Sequence, residues 1–441
     1  MPFICYRLTV LSSFLLLIAG CGGGGSGSSS GGGGGQSNTP TTVTFTFQGA
    51  TPTAVAASIG AGAYTAEALN GSTLTLSIPS GTTKFAVAYA CPVQVFTVGG
   101  VQESQFAEET VFEATTTDGT SFNQSCTSSS SGAQEGTFSG SVDANAIPDA
   151  SSSYLDIQAA NSGAFWDERY TVDSPATNFS FSIPTGSYRM MAGVMSYSNI
   201  TQQYTLTAAR DFGSQTIPGT LNSGNTVVLG AADETTSQTI AYNNVPSGFS
   251  SPLTAVSFVF GDVGDLSIAS GATNQYPVLP AAATESGDYY FLTASALSSG
   301  YPLQGVEAFL TSSTAGPVAF NLPAPWSYTG PAAAALPTFD MSYSGFAGQT
   351  GVYDSVQLEW GAGTSNTNFI NIIATASYQN GSSMLALPDL SGLNGFLVAP
   401  PSGTDVVWTA EVAQSSAKMG QLAAPNTSGS VVLVQGGYLE P

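Results

Sequence analysis

Short runs of β-branched and aromatic residues, alternating with small polar residues, fill the chain from residue 41 onward. Glycine, proline, asparagine and serine interrupt these runs at intervals of about 8–15 residues. Only 8% of the residues are charged, so serine, threonine, glycine and asparagine must supply most of the polar surface. Solvent-exposed helices normally carry Glu, Lys and Arg, and the sequence contains no convincing amphipathic helix. The pattern therefore predicts an all-β protein.

One motif recurs along the chain. Residues 74–92 read LTLSIPSGTTKFAVAYACP and residues 179–198 read FSFSIPTGSYRMMAGVMSYS. In both, an alternating strand ends at Ile-Pro, a glycine follows, and a second alternating strand begins. Because proline ends a ladder and glycine accepts a turn, a β-hairpin or another strand–turn–strand unit accounts for the motif. Weaker copies occupy residues 276–296 and 384–398, and an aromatic strand ending at glycine precedes each copy, at Gly49, Gly140, Gly248 and Gly345.

The spacing of these copies, about 95–110 residues, is that of a sandwich domain. In size and strand pattern the chain resembles tandem immunoglobulin-like or prealbumin-like β-sandwich modules. The resemblance predicts modules at residues 41–134, 135–235, 236–333 and 334–441. Chance similarity among Ser/Thr-rich strands is the alternative, because only the first two copies match closely.

The N-terminus has a different character. Arg7 precedes the apolar run Leu8–Leu17, which is too short to span a bilayer, and Ile18-Ala19-Gly20-Cys21 follows. This segment resembles a bacterial lipobox. The resemblance implies that residues 1–20 are a lipoprotein signal peptide and that Cys21 becomes the first residue, carrying acyl chains such as palmitate. Two or more chains make an effectively stable membrane anchor.

Residues 21–40 contain almost only glycine and serine after Cys21, and they predict a flexible linker that cannot bury apolar surface. The lipobox cysteine is followed by Gly22. In well-studied Gram-negative bacteria an Asp at this place tends to retain a lipoprotein in the inner membrane. The resemblance thus favours an extracytoplasmic protein of the cell envelope, in the outer membrane if the organism has one.

Charge and composition exclude several functions. The formal net charge is −22, and loss of Arg7 with the leader makes it −23. So few cations cannot build the basic patch that nucleic-acid binding requires, so we expect no nucleic-acid partner. The chain has no histidine, which excludes Ser-His-Asp and Cys-His catalysis and histidine-ligated zinc.

Cys91 and Cys126 are the cysteines that remain besides the anchor. In an exported, oxidising compartment they predict a disulfide bond. Two buried thiols, or a thiolate metal site that lacks its other ligands, are the alternatives.

Carboxylates are the abundant ionisable groups. Paired acids can hydrolyse a glycosidic bond or hold calcium, but acids in Gly/Ser/Thr-rich loops are more typically solvated. If the chain has a calcium site, Asp262 and Asp265 of the Gly-Asp-Val-Gly-Asp turn are its best candidates. A further cluster of acids lies at Glu103, Glu108, Glu109 and Glu113.

The densest mixture of aromatic and charged side chains is Trp166-Asp167-Glu168-Arg169-Tyr170. A flat aromatic ring beside hydrogen-bonding groups is typical of sugar or peptide recognition, so this segment is the candidate binding site. The alternative is a core tryptophan next to a local ion pair, either Glu168–Arg169 or Asp167–Arg189.

These observations predict a lipid-anchored envelope protein with a non-catalytic binding, adhesion or structural role and no cofactor. Its expected partners are the membrane, through the acyl chains, and a polysaccharide or a cell-surface protein. The alternative is a carboxylate-dependent polysaccharide hydrolase or its accessory subunit, which would need two facing carboxylates about 5–10 Å apart in a deep cleft.

Overall fold

A computed structural model of the chain describes residues 39–439, except 61, 99–100, 127–134, 149–152, 162–163, 199–202, 262–263, 329, 333, 335, 347–351, 362–365, 398, 402 and 417–426. Residues 1–38, which include the predicted signal peptide, Cys21 and nearly all of the linker, lie outside the described residues. Among the described residues, none of the helices has the length and apolar character that a membrane span requires.

Nearly all regular structure is β-strand, which confirms the predicted fold class. The first group of strands is β1 (Thr41–Gly49), β2 (Ala54–Ile59), β3 (Thr65–Ala66), β4 (Thr73–Ile78), β5 (Lys84–Ala90), β6 (Gln94–Val98), β7 (Val101–Thr115) and β8 (Ser121–Cys126). The second is β9 (Glu135–Asp143), β10 (Ser153–Asn161), β11 (Ala164–Thr171), β12 (Thr177–Pro184), β13 (Gly186–Ser198), β14 (Gln203–Ile217), β15 (Gly219–Thr220) and β16 (Val227–Val228). The third is β17 (Thr236–Asn243), β18 (Leu253–Phe260), β19 (Gly264–Gly271), β20 (Gln275–Val278), β21 (Tyr289–Leu297), β22 (Leu303–Ser312) and β23 (Val318–Asn321). The fourth is β24 (Thr338–Asp340), β25 (Tyr353–Trp360), β26 (Asn366–Thr375), β27 (Met384–Ala386), β28 (Val406–Ser415) and β29 (Ser428–Leu439).

In the part of the chain that the structure describes, helical structure is confined to single turns. A four-residue α-helix, α1, spans Ala376–Gln379. Short 3-10 turns lie at Leu221–Gly224, Ala231–Asp233, Ala281–Ala283 and Ser344–Phe346.

The four groups share the strand order of the larger sheet, and the first three also share that of the smaller sheet. In the smaller sheet, β1 pairs antiparallel with β4 and parallel with β8, and β9 and β17 pair in the same way with their own partners. In the larger sheet, the second strand of each group pairs with the third strand and with a later strand of the same group. For example, β10 pairs with β11 and β13. An immunoglobulin constant domain instead places its first and second strands in one sheet. The strands of each group therefore lie in two sheets, in an order that differs from that of an immunoglobulin domain; we call the groups the first to fourth sandwiches.

Aromatic side chains from the two layers of a sandwich pack against each other in its core. The ring centroids of Phe45 on β1 and Phe112 on β7 are 5.7 Å apart, and those of Tyr276 on β20 and Tyr290 on β21 are 5.9 Å apart. In the fourth sandwich Phe339 on β24 lies 5.9 Å from Trp408 on β28. Alternation explains this placement, because every second residue of a strand such as β12 points inward.

The Ile-Pro-Gly motif joins the two layers and is not a hairpin. Strand β4, which ends at Ile78, pairs with β1, whereas β5 after the turn pairs with β2 and β7. The same holds for β12 and β13. Of the two interpretations of the motif, the strand–turn–strand unit is the observed one.

A disulfide bond joins Cys91 and Cys126, as predicted, with the Cα atoms 5.3 Å apart. The turn that follows β1 requires a glycine at Gly49, whose φ is 79° and whose added Cβ would lie 2.4 Å from the Cys126 carbonyl oxygen. The aromatic strand ending at glycine thus reflects a close backbone approach.

The chain divides into two compact units. One comprises the described residues of Met1–Ser129, Leu297–Val306 and Ala324–Pro441, and the other those of Ser130–Ala296 and Glu307–Pro323. In the first unit β7 pairs in parallel with β26, from Gln105 opposite Asn366 to Glu113 opposite Ala374. In the second unit β14 meets β19 at Tyr204–Ser270 and Thr205–Ala269. The boundaries near residues 134, 235 and 333 remain predictions.

Candidate binding surface on the second sandwich

Strand β11 carries the candidate site, and its side chains alternate between two faces. It pairs along its length with β10, with Trp166 opposite Ala159 and Arg169 opposite Asp156. Trp166 and Tyr170 face the core of the sandwich, whereas Asp167 and Arg169 lie on the outer face of the larger sheet. The five candidate residues therefore do not form one surface.

Trp166 and Tyr170 belong to the core side. Both pack against the buried cluster of the second sandwich. The Trp166 ring meets Tyr188 edge-on at 5.3 Å, and the Tyr170 hydroxyl donates a hydrogen bond to the Ser180 carbonyl oxygen at 3.2 Å. Burial, and then the nearby Glu168 carboxylate, raise the pKa of Tyr170. The geometry fits the core alternative for this tryptophan.

Arg169 lies along the outer face and pairs with two carboxylates. Its Nε donates to Asp156 Oδ2 at 3.2 Å, and its Nη2 lies 3.9 Å from Asp167 Oδ2. Burial raises the pKa of the fully buried Asp156 to about 6, although Arg169 favours its ionised form. The ion pairs expected from the sequence, Glu168–Arg169 and Asp167–Arg189, are wrong: Glu168 lies on the opposite face from Arg169, and Arg189 is bound elsewhere.

The guanidinium of Arg169 lies next to a pair of tyrosine rings. Its Cζ lies 5.7 Å from the centre of the Tyr204 ring, and that ring lies 4.6 Å from the ring of Tyr197. Tyr154, which is 39% exposed, is on the same face of β10 as Asp156. We call Tyr154, Arg169, Tyr197 and Tyr204 the Tyr–Arg patch. Flat aromatic rings beside a charged hydrogen-bond donor are the groups that bind sugars and peptides.

Arg189 on β13 is a second cation of the outer face, and its partners are not the Asp167 that the sequence suggested. It donates from Nη1 and Nη2 to Asp288 at 2.6 and 2.8 Å, and from Nε to Asp211 at 2.9 Å. Burial alone would lower the pKa of Arg189, but the hydrogen bonds with Asp288 and Asp211 outweigh it and raise the pKa. Since Asp288 belongs to the third sandwich, this cation joins the second sandwich to the third.

The predicted calcium ligands are only partly described. Asp262 lies outside the described residues. Asp265 lies at the start of β19, where burial raises the pKa of its carboxyl while a hydrogen bond with Ser257 opposes that effect. Over the described ranges, no group of three or more acidic, histidine or cysteine side chains could hold a metal ion. The calcium site remains a prediction.

Three acids of the first sandwich lie in the sheet and not in solvated loops, so the expectation of solvated loop acids is wrong for Glu108, Glu109 and Glu113. All three belong to β7, and Glu109 is only 2% exposed. Glu108 accepts a hydrogen bond from Asn371 Nδ2 at 3.1 Å, and Glu109 accepts one from the Leu397 N–H at 2.9 Å. Pairing of β7 with β26, which buries these groups, has no signature in the local sequence.

No protein-family model matches the chain, and no curated protein matches it significantly. Among solved structures, it is similar to a leucine-rich repeat protein from Bacteroides thetaiotaomicron VPI-5482, at 11% identity over 44% of this chain and 26% of that chain, with a TM-score of 0.18. A candidate adhesin from Bacteroides ovatus ATCC 8483 is similar at 8% identity over 45% and 95% of the two chains, also with a TM-score of 0.18. The pilus adhesin SpaC from Lactobacillus rhamnosus GG is similar at 8% identity over 76% and 44%, with a TM-score of 0.11.

Proposed function

We propose that this chain is a lipid-anchored protein of the cell envelope that binds a polysaccharide without catalysis, through the Tyr–Arg patch. The observation that carries the proposal is the stacking of Arg169 over Tyr204, beside the Tyr197 ring. Sugars offer C–H faces to aromatic rings and hydroxyl groups to charged donors and acceptors. The patch presents both, with Asp167 at its rim 47% exposed in its side chain.

A non-catalytic role is supported by the chemistry of the chain. With no histidine, a hydroxyl nucleophile lacks its usual base. A glycoside hydrolase needs two carboxylates that flank a sugar, but the acids of β7 engage backbone and side-chain groups of the fourth sandwich.

Binding is tested with the full-length protein, purified in detergent, on insoluble cellulose, chitin and peptidoglycan. We expect Tyr204→Ala and Tyr154→Ala to weaken retention on one of these polymers at least tenfold, because each removes a ring of the patch. Tyr301→Ala is the matched control, since Tyr301 is 74% exposed and lies outside the patch. Circular dichroism checks that each variant is folded. Wild-type protein that binds none of the three polymers, or patch variants that bind as tightly as Tyr301→Ala, would refute the proposal.

The anchor is tested separately through Cys21. Cys21→Ser should leave an uncleaved precursor or release the protein from membranes, because that side chain supplies the acyl attachment. Membrane fractionation with N-terminal mass analysis reports both. Wild-type protein found soluble with residues 1–20 attached would contradict the anchor.

A further inference from the structure

We propose that the contact between the first and fourth sandwiches is an acid-stabilised joint, closed while the Glu109 and Glu113 carboxyls are protonated and loosened when they ionise. The inference goes beyond the proposed binding function. It rests on how two strands of one unit meet, and on which groups cover their common face.

The joint is built from β7 and from elements of the fourth sandwich. The parallel pairing of β7 with β26 makes the larger sheets of the two sandwiches continuous. Glu109 and Glu113 point to the same face of this sheet, opposite Ile370 and Ala374 of β26. The fourth sandwich covers that face with the segment that contains Leu397 and with α1.

Hydrogen bonds from the fourth sandwich reach several acids of the first. The Leu397 N–H donates to Glu109 Oε2 at 2.9 Å, and Thr375 Oγ1 donates to Asp118 Oδ2 at 2.7 Å. The Tyr378 hydroxyl is a partner of Glu113. The donors are neutral groups, so none of them supplies a compensating positive charge.

Counter-ions are scarce at this joint. In the described part of the chain, ion pairs within 4.0 Å involve Arg169, Arg189 and Arg210, all outside the first sandwich. Glu109 is 2% exposed. A carboxylate buried without a counter-ion is so unfavourable that the group takes up a proton instead.

The pKa values agree with this geometry. Burial raises the pKa of Glu109 to about 7, against the opposing effect of the Leu397 N–H. Burial also raises the pKa of Glu113 to about 7, against the opposing effects of Tyr378 and Lys84. Titratable and charged groups around this face come from the neighbouring elements: Lys84 of β5, Tyr64 before β3, Tyr378 of α1, Asp354 of β25 and Asp118 after β7. Glu108 of β7 points to the opposite face of the sheet.

Among these neighbours, only Lys84 favours the ionised form by its charge. Its Nζ lies 5.0 Å from the centre of the Tyr378 ring. Burial raises the pKa of Asp354 to about 7, so this acid also resists ionisation. Burial, and not the neighbouring groups, therefore sets the preference of Glu109 and Glu113 for the neutral form.

The direction of the pH effect follows from linkage. A glutamate in the unfolded chain has a pKa of about 4.3. Because the folded pKa values are higher, the stabilisation is fully present below about pH 4.3 and is lost as the pH rises through about 7. Opening the joint lets water reach the ionised groups, so the joint is the element that loosens.

The test is hydrogen exchange of the full-length protein in detergent between pH 5.5 and pH 8, corrected for the intrinsic pH dependence of exchange. Peptides covering β26 should exchange at least tenfold faster at pH 8, whereas peptides covering β12, a strand of the other unit without titratable side chains, should change less than threefold. In the Glu109→Gln/Glu113→Gln double variant the increase should fall below threefold. Glutamine keeps an oxygen that accepts from the Leu397 N–H and cannot ionise.

The matched control is Glu135→Gln, at an exposed end of β9, which should behave as the wild type. If the double variant does not fold, Glu109→Gln alone should remove about half of the increase on a logarithmic scale. Protection of β26 that is independent of pH in the wild type, or an undiminished increase in the glutamine variants, would overturn the proposal.

Discussion

Replacing Arg189 with methionine should destabilise the second unit by about 3–5 kcal/mol. The Arg189 side chain is 13% exposed, and the side chains of its partners Asp211 and Asp288 are 7% and 4% exposed. Methionine fills most of the space of the arginine stem and removes the charge. Two buried carboxylates would then lose their counter-ion, and that loss, more than the lost hydrogen bonds, sets the magnitude. The exposed Glu285, 3.7 Å from the guanidinium, should contribute little.

Arg210 provides a matched comparison. Its Nε donates to Asp233 at 2.7 Å, but its side chain is 33% exposed and its partner belongs to the same sandwich. Arg210→Met should therefore cost about 1–2 kcal/mol. Native-state hydrogen exchange in urea measures both changes, and peptides covering β13 and residues 281–297 report the Arg189 site.

Rescue separates charge from packing. Adding Asp211→Asn and Asp288→Asn to Arg189→Met should recover more than half of the loss, because no buried charge is left unpaired. If Arg189→Met destabilises no more than Arg210→Met, or if the triple variant is as unstable as the single one, the assignment of this cation as the main electrostatic link between the two sandwiches is refuted.

Two further predictions concern the first sandwich and the module boundaries. Cys91→Ser/Cys126→Ser should lose about 3–4 kcal/mol of stability in urea unfolding, because the disulfide closes a loop of 35 residues in the unfolded chain; a loss below about 1 kcal/mol would contradict this entropic account. Limited proteolysis should cut near residues 134, 235 and 333, where the sequence places linkers between modules; cleavage elsewhere, with these three places resistant, would reject the boundaries.

Local sequence predicted those features of the fold that depend on neighbouring residues. Alternation of apolar and polar residues predicted the strands, the Ile-Pro-Gly motif predicted the turns, and the expectation that the chain is exported predicted the disulfide. The hairpin alternative was wrong because proline and glycine specify a turn but not which layer the next strand joins. The glycine at Gly140 is required because of a neighbouring strand: an added Cβ would lie 2.5 Å from Phe179 Cζ.

Features that depend on distant residues had no local signal. Arg189 and Asp288 are 99 residues apart, so their pairing follows from the packing of two sandwiches. In the candidate site, the sequence located Arg169 but missed its partners Tyr197 and Tyr204, because they lie on other strands of the same face. Alternation along β11 could have separated Trp166 from Arg169, since successive side chains point to opposite faces.

The pairing of β7 with β26 also affects the risk of aggregation while the chain is being synthesised. The hydrogen bond between Glu108 and Asn371 spans 263 residues, so β7 is synthesised long before its partner strand exists. Until then its free edge is a template for pairing with other chains, the usual origin of aggregation. Exposed to water, Glu108, Glu109 and Glu113 are ionised at neutral pH, and their repulsion disfavours such pairing. Acids whose ionisation burial opposes in the finished sheet thus carry full charge in the nascent strand, where that charge disfavours aggregation.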